Sequence, residues 1–503
     1  MKKYFFISRS FNEGGLILLL IIAFASCKKD VAYYNETGYP NSINTIIMTK
    51  CAVSGCHNDK SYKAAGGLNL SSWTTLFEGG SGGAVVIPYR ADQSWLQYFI
   101  NFDSTKGICL KPTMPFNPQN ANESNHLSQS QVDLISDWIN NGAPNYIGEI
   151  PFPENTPRSK FYVANQGCDM LSVFDTKTKL CMRMIDMGAQ AGIESPHDIE
   201  ISPDGNYLYS VFQSGSVIQK FRTADDELVG TLSIGAGSWS SLVISPDGKT
   251  GFAADWNGNG KLAYINLENM QLIMYYQGTG LLQYPHIIAA TSDWKTLYVT
   301  SQYGNNIYKI DITDPLNPSI SDLTLGTGLP SVHVHDNTTL DPHDVVISPD
   351  GSKYFVTCQN KNEVRVFQTS NDSLIQIIPV GVYPQEQDFS LSYPYLFVTC
   401  TEDPNTNPLE RGSVYVINYQ TMQTIKILNN HFFQPHGLAV DDNAGILLVA
   451  SRNVSAAGPA PHHTSVCGGR NGFLRAVNLS TLEFEENFHT EVSVDPYSIV
   501  IKK

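Results

Sequence analysis

Three patterns of apolar and polar positions follow one another along the chain. The first is the unbroken apolar run Leu16 to Ala25, set behind Lys2, Lys3 and Arg9. Its roughly ten residues make a helix of about 15 Å, too short to span a hydrocarbon core, and the charge-then-apolar order is that of an export signal. The second has a helical period. Val132, Ile135, Trp138 and Ile139 fall on one face, Ser128-Gln-Ser-Gln131 reads as a capping box, and Gly142 and Pro144 stop the element. Trp95, Leu96, Phe99 and Ile100 predict another short helix within Asp92 to Asn101. The third pattern begins after the proline-rich joint Pro151 to Pro157. Short β-rich runs such as Thr296-Leu-Tyr-Val-Thr300, Lys353-Tyr-Phe-Val-Thr357 and Glu363-Val-Arg-Val-Phe367 recur there, with a period of about forty residues.

The repeat is anchored by Ile201-Ser-Pro-Asp-Gly205, Ile244-Ser-Pro-Asp-Gly248 and Ile347-Ser-Pro-Asp-Gly351. Pro-Asp-Gly supplies a tight turn, through proline's fixed φ and glycine's tolerance of positive φ. Four antiparallel strands per unit make a propeller blade. First strands at Asp198, Ser241, Ile287, Asp344, Glu386, Gly437 and Ser498 predict an all-β propeller of seven blades over residues 158–503. The first blade, starting Lys160-Phe-Tyr-Val-Ala164, lacks an inner strand of its own, so the last strand, Tyr497 to Lys502, is expected to complete it and remove the free edges. Tyr162-Val-Ala-Asn165 and Tyr298-Val-Thr-Ser301 resemble the signature of the seven-bladed Tyr-Val-Thr-Asn propellers. That family is mostly a scaffold class, so the resemblance implies a fold more than a function.

Cys51-Ala-Val-Ser-Gly-Cys56-His57 puts two thiols ahead of a histidine, the chemistry that attaches a porphyrin by two thioethers and ligates its iron. Four residues separate the cysteines, where two are usual. A disulfide or a zinc half-site is the competing reading, and zinc would need further ligands, with only Cys109 and His126 nearby. The ordered elements Gly66-Gly67-Leu68, Gly79 to Gly83, Ser94-Trp95-Leu96, Thr113-Met114-Pro115 and Asp137-Trp138 to Pro144 resemble the small cytochrome c domains of exported bacterial proteins, over residues 43–147. The resemblance implies a small all-α domain holding covalent haem c on Cys51 and Cys56. It also implies His57 and Met114 as axial iron ligands, a pairing that favours electron transfer, with His126 as the rival for the second position.

Ala23-Phe-Ala-Ser-Cys27 resembles the lipobox of bacterial lipoproteins. That implies a signal peptide over residues 1–26, a lipidated Cys27, a linker over 27–42, and a lipid-anchored place in the cell envelope, at the outer membrane on its periplasmic or surface side. Losing Lys2, Lys3, Arg9 and Glu13 takes the net charge from −15 to −17. Such acidity, with no Lys/Arg cluster after residue 30, excludes nucleic acid as a partner. At 42% hydrophobic and 16% charged the chain can bury a large core.

The histidines carry the remaining signal. Pro196-His197, Pro285-His286, Pro342-His343 and Pro435-His436 stand directly before inner strands, where the other three blades have Ser240, Gln385 and Tyr497. The topology puts His333, His335, His431, His462 and His463 on the same face. One reading is loop closure by imidazole hydrogen bonds. The other is a second metal at the propeller mouth held by His197, His286, His343 and His436, with His462 or His463, and with Glu386 and Asp344 as partners or bases. Haem c fused to a histidine-bearing propeller resembles in architecture the nitrite reductases that pair haem c with a d-type haem, and nitrous oxide reductase holds copper at such a mouth. The former have eight blades and narrower cysteine spacing, and the cupredoxin segment of the latter is missing here. Two functions follow as expectations. One is a haem-dependent oxidoreductase with a small-molecule substrate; the other is a non-enzymatic electron-transfer or docking protein that binds a redox partner or surface ligand.

Overall fold

The computed structural model describes residues 35–116, 126–154, 158–407, 410–452 and 472–502. Cys27, His462 and His463, and the expected signal peptide over residues 1–26, lie outside them. Four short helices form the N-terminal unit: α1, Asn41–Ile46, which runs on as a π-turn over Ile47–Cys51; α2, Trp73–Leu76; α3, Trp95–Ile100; and α4, Gln129–Asn140. The Ser128 and Gln131 side chains cap α4 reciprocally, which satisfies two otherwise orphaned N–H groups. The apolar face of α4, Val132, Ile135, Trp138 and Ile139, packs with Ile43, Ile46, Ile47, Cys51, Leu96 and Ile100 into one core, with Met114 at its edge. None of the described helices is long and apolar enough to cross a membrane.

The rest is seven four-stranded antiparallel sheets arranged as the blades of a propeller. The sheet order of the first blade places the final strand, Pro496–Ile501, inside Lys160–Asn165, followed by Met170–Asp175 and Cys181–Asp186. The chain therefore closes its own ring, as expected from the missing inner strand.

Both faces of each blade are buried against a neighbour, so inner and middle strands read as nearly continuous apolar runs. Side chains alternate between the two neighbours: Leu208 and Phe212 pack toward the first blade, Tyr209 and Val211 toward the third. Seven apolar cores result, one between each pair of adjacent blades. Outer strands are largely exposed.

Between the first two blades lies a buried ion pair. Lys160 Nζ sits 2.8 Å from Asp226 Oδ2 and also donates to the Thr223 carbonyl, while the Tyr162 hydroxyl donates to Asp226 at 2.8 Å. Removing one member of such a pair strands the other charge. Asp226→Asn keeps the shape and the left-handed backbone (φ 63°), and is expected to lower unfolding free energy by about 3 kcal/mol, read from urea titration.

The helical unit is seated on the outer strands of the first and seventh blades. Ala84 and Ile87 join the core made by Met184, Phe488, Val492 and their neighbours. Arg90 pairs with Asp186 at 2.6 Å, Arg183 lies over the Tyr89 ring, and Phe77 meets Phe152 edge-on. Gly83 (φ 91°) permits the contact: a Cβ there would lie 3.0 Å from Thr490 Oγ1.

Candidate functional site

In the helical unit, the π-turn ends at Cys51 and the chain turns back at once. The Cys56 N–H donates to the Val53 carbonyl and the His57 N–H to the Cys51 carbonyl, which folds the motif into one compact loop. Cys51 and Cys56 are free thiols, so the disulfide reading fails. They do not close on His57 as a zinc site: among the described residues, the three metal-competent side chains that come within 4.8 Å of one another are in the propeller. His57 Nδ1 donates to the Leu68 carbonyl at 3.1 Å. That bond fixes the ring and its tautomer and leaves Nε2 as the donor atom for a metal. Burial holds the imidazole below its ordinary pKa and so favours its neutral form, an effect the Leu68 bond partly offsets. Met114 is positioned by its N–H bond to the Phe99 carbonyl at the end of α3, and it borders the same apolar core as Cys51. His126 instead stacks on Phe102 at the surface. Two thiols and an imidazole in one loop, with Cys51 and the Met114 thioether on one apolar core, are a donor set that would suit a haem c.

In the propeller, the inner strands share one irregularity. The ladder slips at the start of the inner strand in every blade, at a proline in six and at Trp239 in the third: Pro196/Asp198, Trp239/Ser241, Pro285/Ile288, Pro342/Val345, Pro384/Gln387, Pro435/Leu438 and Asn165 opposite Pro496. A bulge re-aims side chains, and here it turns the residue after proline toward the axis. Six of these prolines follow a non-glycine residue in the left-handed region: Ser195, Tyr284, Asp341, Tyr383, Gln434 and Asp495. Such strain persists only where surroundings over-determine it. The Gln166, Gln213, Gln302 and Gln359 N–H groups donate to the carbonyls of Asp495, Ser195, Tyr284 and Asp341.

The result differs from an open histidine mouth. His197, His286, His343 and His436 belong to the strands, are at most 2% exposed, and pack with Tyr497 into a closed ring of five aromatic groups. Centroid distances around it are 5.5, 4.3, 5.7, 3.8 and 4.2 Å, from His197 through His286, His343, His436 and Tyr497 back to His197. His197 Nδ1 bonds the Ser240 carbonyl at 2.7 Å and His286 Nδ1 the His343 carbonyl at 3.2 Å. The loop histidines stay in their own blades. His333 bonds Asp322 and Ser301, His335 bonds Asp341, and His431 packs on Phe484.

Beneath the ring runs a cavity of about 360 Å³ lined by His197, Asp198, Glu200, Glu386, Asp388 and mostly apolar inner-strand residues, with no Lys or Arg among the lining. Asp198, Asp344 and Asp388 each accept an N–H from the next inner strand, at Leu242, Gln387 and Val440, so part of this acidity stitches blades together. Glu386 is different. Its Oε1 lies 3.8 Å from His343 Nδ1 and 3.9 Å from His436 Nδ1.

Burial pushes the Asp198 carboxyl up to about 6 and that of Asp344 up to about 7. Glu200 and Glu386 are raised well above the usual carboxylate range by burial and then by neighbouring carboxylates. The folded chain thus holds protons that the unfolded chain releases. For Asp198 and Asp344 the contribution to stability is full below about pH 4 and is lost as pH rises through about 6 to 7; Glu200 and Glu386 act in the same direction. Asp198→Asn is expected to flatten that fall by on the order of 2–3 kcal/mol, measured as urea midpoints at acidic and mildly alkaline pH.

The fold and these sites define a seven-bladed β-propeller with a helical unit seated on its rim. No family model and no curated protein matches the chain. Solved structures similar to it include a functionally unknown protein from Desulfotomaculum acetoxidans DSM 771, at 15% identity and TM-score 0.49, covering 67% of this chain and 99% of that one. The dihydro-heme d1 dehydrogenase NirN in complex with DHE is 11% identical at TM-score 0.46, covering 91% and 98%. Kuenenia stuttgartiensis hydrazine synthase is 17% identical at TM-score 0.43, covering 61% and 97%.

Proposed function

We propose that the chain is an exported electron-transfer protein with covalent haem c in its N-terminal unit, a small all-α cytochrome c domain, and that it acts as an oxidoreductase whose second site lies in the propeller channel. The observation that carries this reading is the His57 Nδ1 bond to the Leu68 carbonyl, made in a loop that also presents two free thiols, with Met114 on the same apolar core. Cys51 and Cys56 would hold the macrocycle, and His57 and Met114 its iron. The bound group supplies reversible one-electron chemistry. The chain's own part is to fix the imidazole tautomer through Leu68, to hold Met114 through Phe99, and to keep water from the apolar core around both. Cys27 as lipid anchor puts the protein at the envelope membrane, outer membrane included, within reach of a redox partner protein or small-molecule substrate.

A second reading, a non-enzymatic docking or electron-transfer protein, has its own support: the imidazole ring is packed shut, so its histidines are not open on the loop face. A pyridine haemochrome spectrum of the full chain, made with haem-maturation machinery, tests the haem. A thioether-type haem signal of about one per chain is expected, and its absence overturns the reading.

A further inference from the structure

We propose that His343, His436 and Glu386 form a binding site for one divalent first-row metal ion, at the top of the propeller channel and open toward the cavity beneath. This deepens the second-site part of the function proposed above, while resting on different residues from the haem. Of the four strand histidines, His197 and His286 bond backbone carbonyls through Nδ1. The other two turn Nδ1 toward one carboxylate oxygen, at 3.8 and 3.9 Å, and the three ligand atoms lie within 4.8 Å of one another. Those separations are too long for hydrogen bonds. An ion at the centre of such a triangle sits about 2.2–2.5 Å from each atom, against the roughly 2.0–2.2 Å of Zn–N and Zn–O bonds, so each side chain has only a few tenths of an ångström to move.

Two imidazoles and a carboxylate suit iron(II), zinc or manganese better than soft copper(I) or calcium. The surroundings agree with a cation there. The cavity wall adds Asp198, Glu200 and Asp388, faced by His197 but by no Lys or Arg. On the ring side, His286 and Tyr497 pack against His343 and His436 and set their orientation, as second partners do in metal sites. On the cavity side three ligands leave coordination positions free, the arrangement of a catalytic rather than a structural centre. The wall at this level is partly bare backbone: a Cβ on Gly437 would lie 2.1 Å from the Tyr497 carbonyl oxygen.

The test uses the full chain stripped with a chelator, dialysed against Zn²⁺, freed of loose ion by gel filtration and counted by mass spectrometry of the metal. About one zinc per chain is expected, falling at least tenfold in Glu386→Gln and in the His343→Ala/His436→Ala variant. Zinc should also raise the melting temperature of the intact chain and leave that of Glu386→Gln where it was. Glu386→Gln is close to isosteric, so it decides the matter should the double variant not fold. No zinc on the intact chain, or one zinc retained by a folded Glu386→Gln, overturns the site. The haemochrome spectrum of the same sample separates the two claims: zinc without haem leaves the channel site standing and sinks the haem, and haem without zinc does the reverse.

Discussion

A chain ending at Asp495 is expected to lose cooperative unfolding altogether, the largest effect foreseen for any change in the propeller. The strand it lacks, Pro496–Ile501, is the inner strand of the first blade and pairs with Lys160–Asn165 from Phe161↔Ile501 to Asn165↔Pro496. Ile499 and Ile501 belong to the core between the seventh and first blades, and Tyr497 is one of the five rings that close the channel. Losing two buried isoleucines alone costs on the order of 4–10 kcal/mol, comparable to the whole stability of an ordinary domain. The truncation also exposes a hydrogen-bonding edge on each side of the gap. Circular-dichroism melting and gel filtration check it: a broad or absent transition with aggregated material is expected, and a monomer melting like the full chain would show that the ring does not need its closing strand.

The second large effect falls on the N-terminal unit. If the chain carries haem c as proposed, Met114→Ala is expected to leave its attachment to Cys51 and Cys56 untouched and to lower the reduction potential by on the order of 0.2 V, within the roughly 0.8 V that axial ligands span. Thioether attachment and iron ligation are chemically separate, so the two readouts part company. Met114 sits at the border of the apolar core, and its loss opens one side of that core without touching the His57 bond to Leu68. Spectroelectrochemical titration checks the potential, and the haemochrome spectrum of the same sample checks attachment. An unchanged potential would remove Met114 as a ligand.

The propeller was legible in the sequence because its punctuation is local. Ile-Ser-Pro-Asp-Gly makes the same turn wherever it occurs, and Ser202, Ser245 and Ser348 each donate to the aspartate two residues on, Asp204, Asp247 and Asp350. The missing first inner strand and its replacement from the C-terminus follow from counting. What the histidines face did not follow. A regular strand would have sent His197 and Asp198 to opposite sides, and placing the imidazoles on the axis needs the bulge and the left-handed residue before each proline. That left-handed residue has no common identity, being Ser, Tyr, Asp, Tyr, Gln and Asp in turn, so no motif announces it. The repeated glutamine after the second strand, at Gln166, Gln213, Gln302 and Gln359, was a readable trace of it that period-counting passed over. Glu386 stands in the sequence as one of several acidic residues. Its blade lies between those of His343 and His436, so the sequence order could suggest it as their partner, but only the folded inner strands bring its carboxylate to within 4 Å of both imidazoles. The seat of the helical unit was equally invisible, since Arg90 and Asp186 lie far apart in the chain and neither belongs to a motif.

That seat has a bearing on the order of assembly. It is made of Leu180 and Asp186 from the first blade and Thr490 and Glu491 from the last, segments separated by most of the propeller. A polypeptide emerging N-terminus first presents Cys51, Cys56 and His57 long before any seat exists to receive them. The motif is therefore accessible throughout the synthesis of the remaining chain. The arrival of the final strand then completes, in one event, the ring, the channel and the platform on which the finished small unit comes to rest.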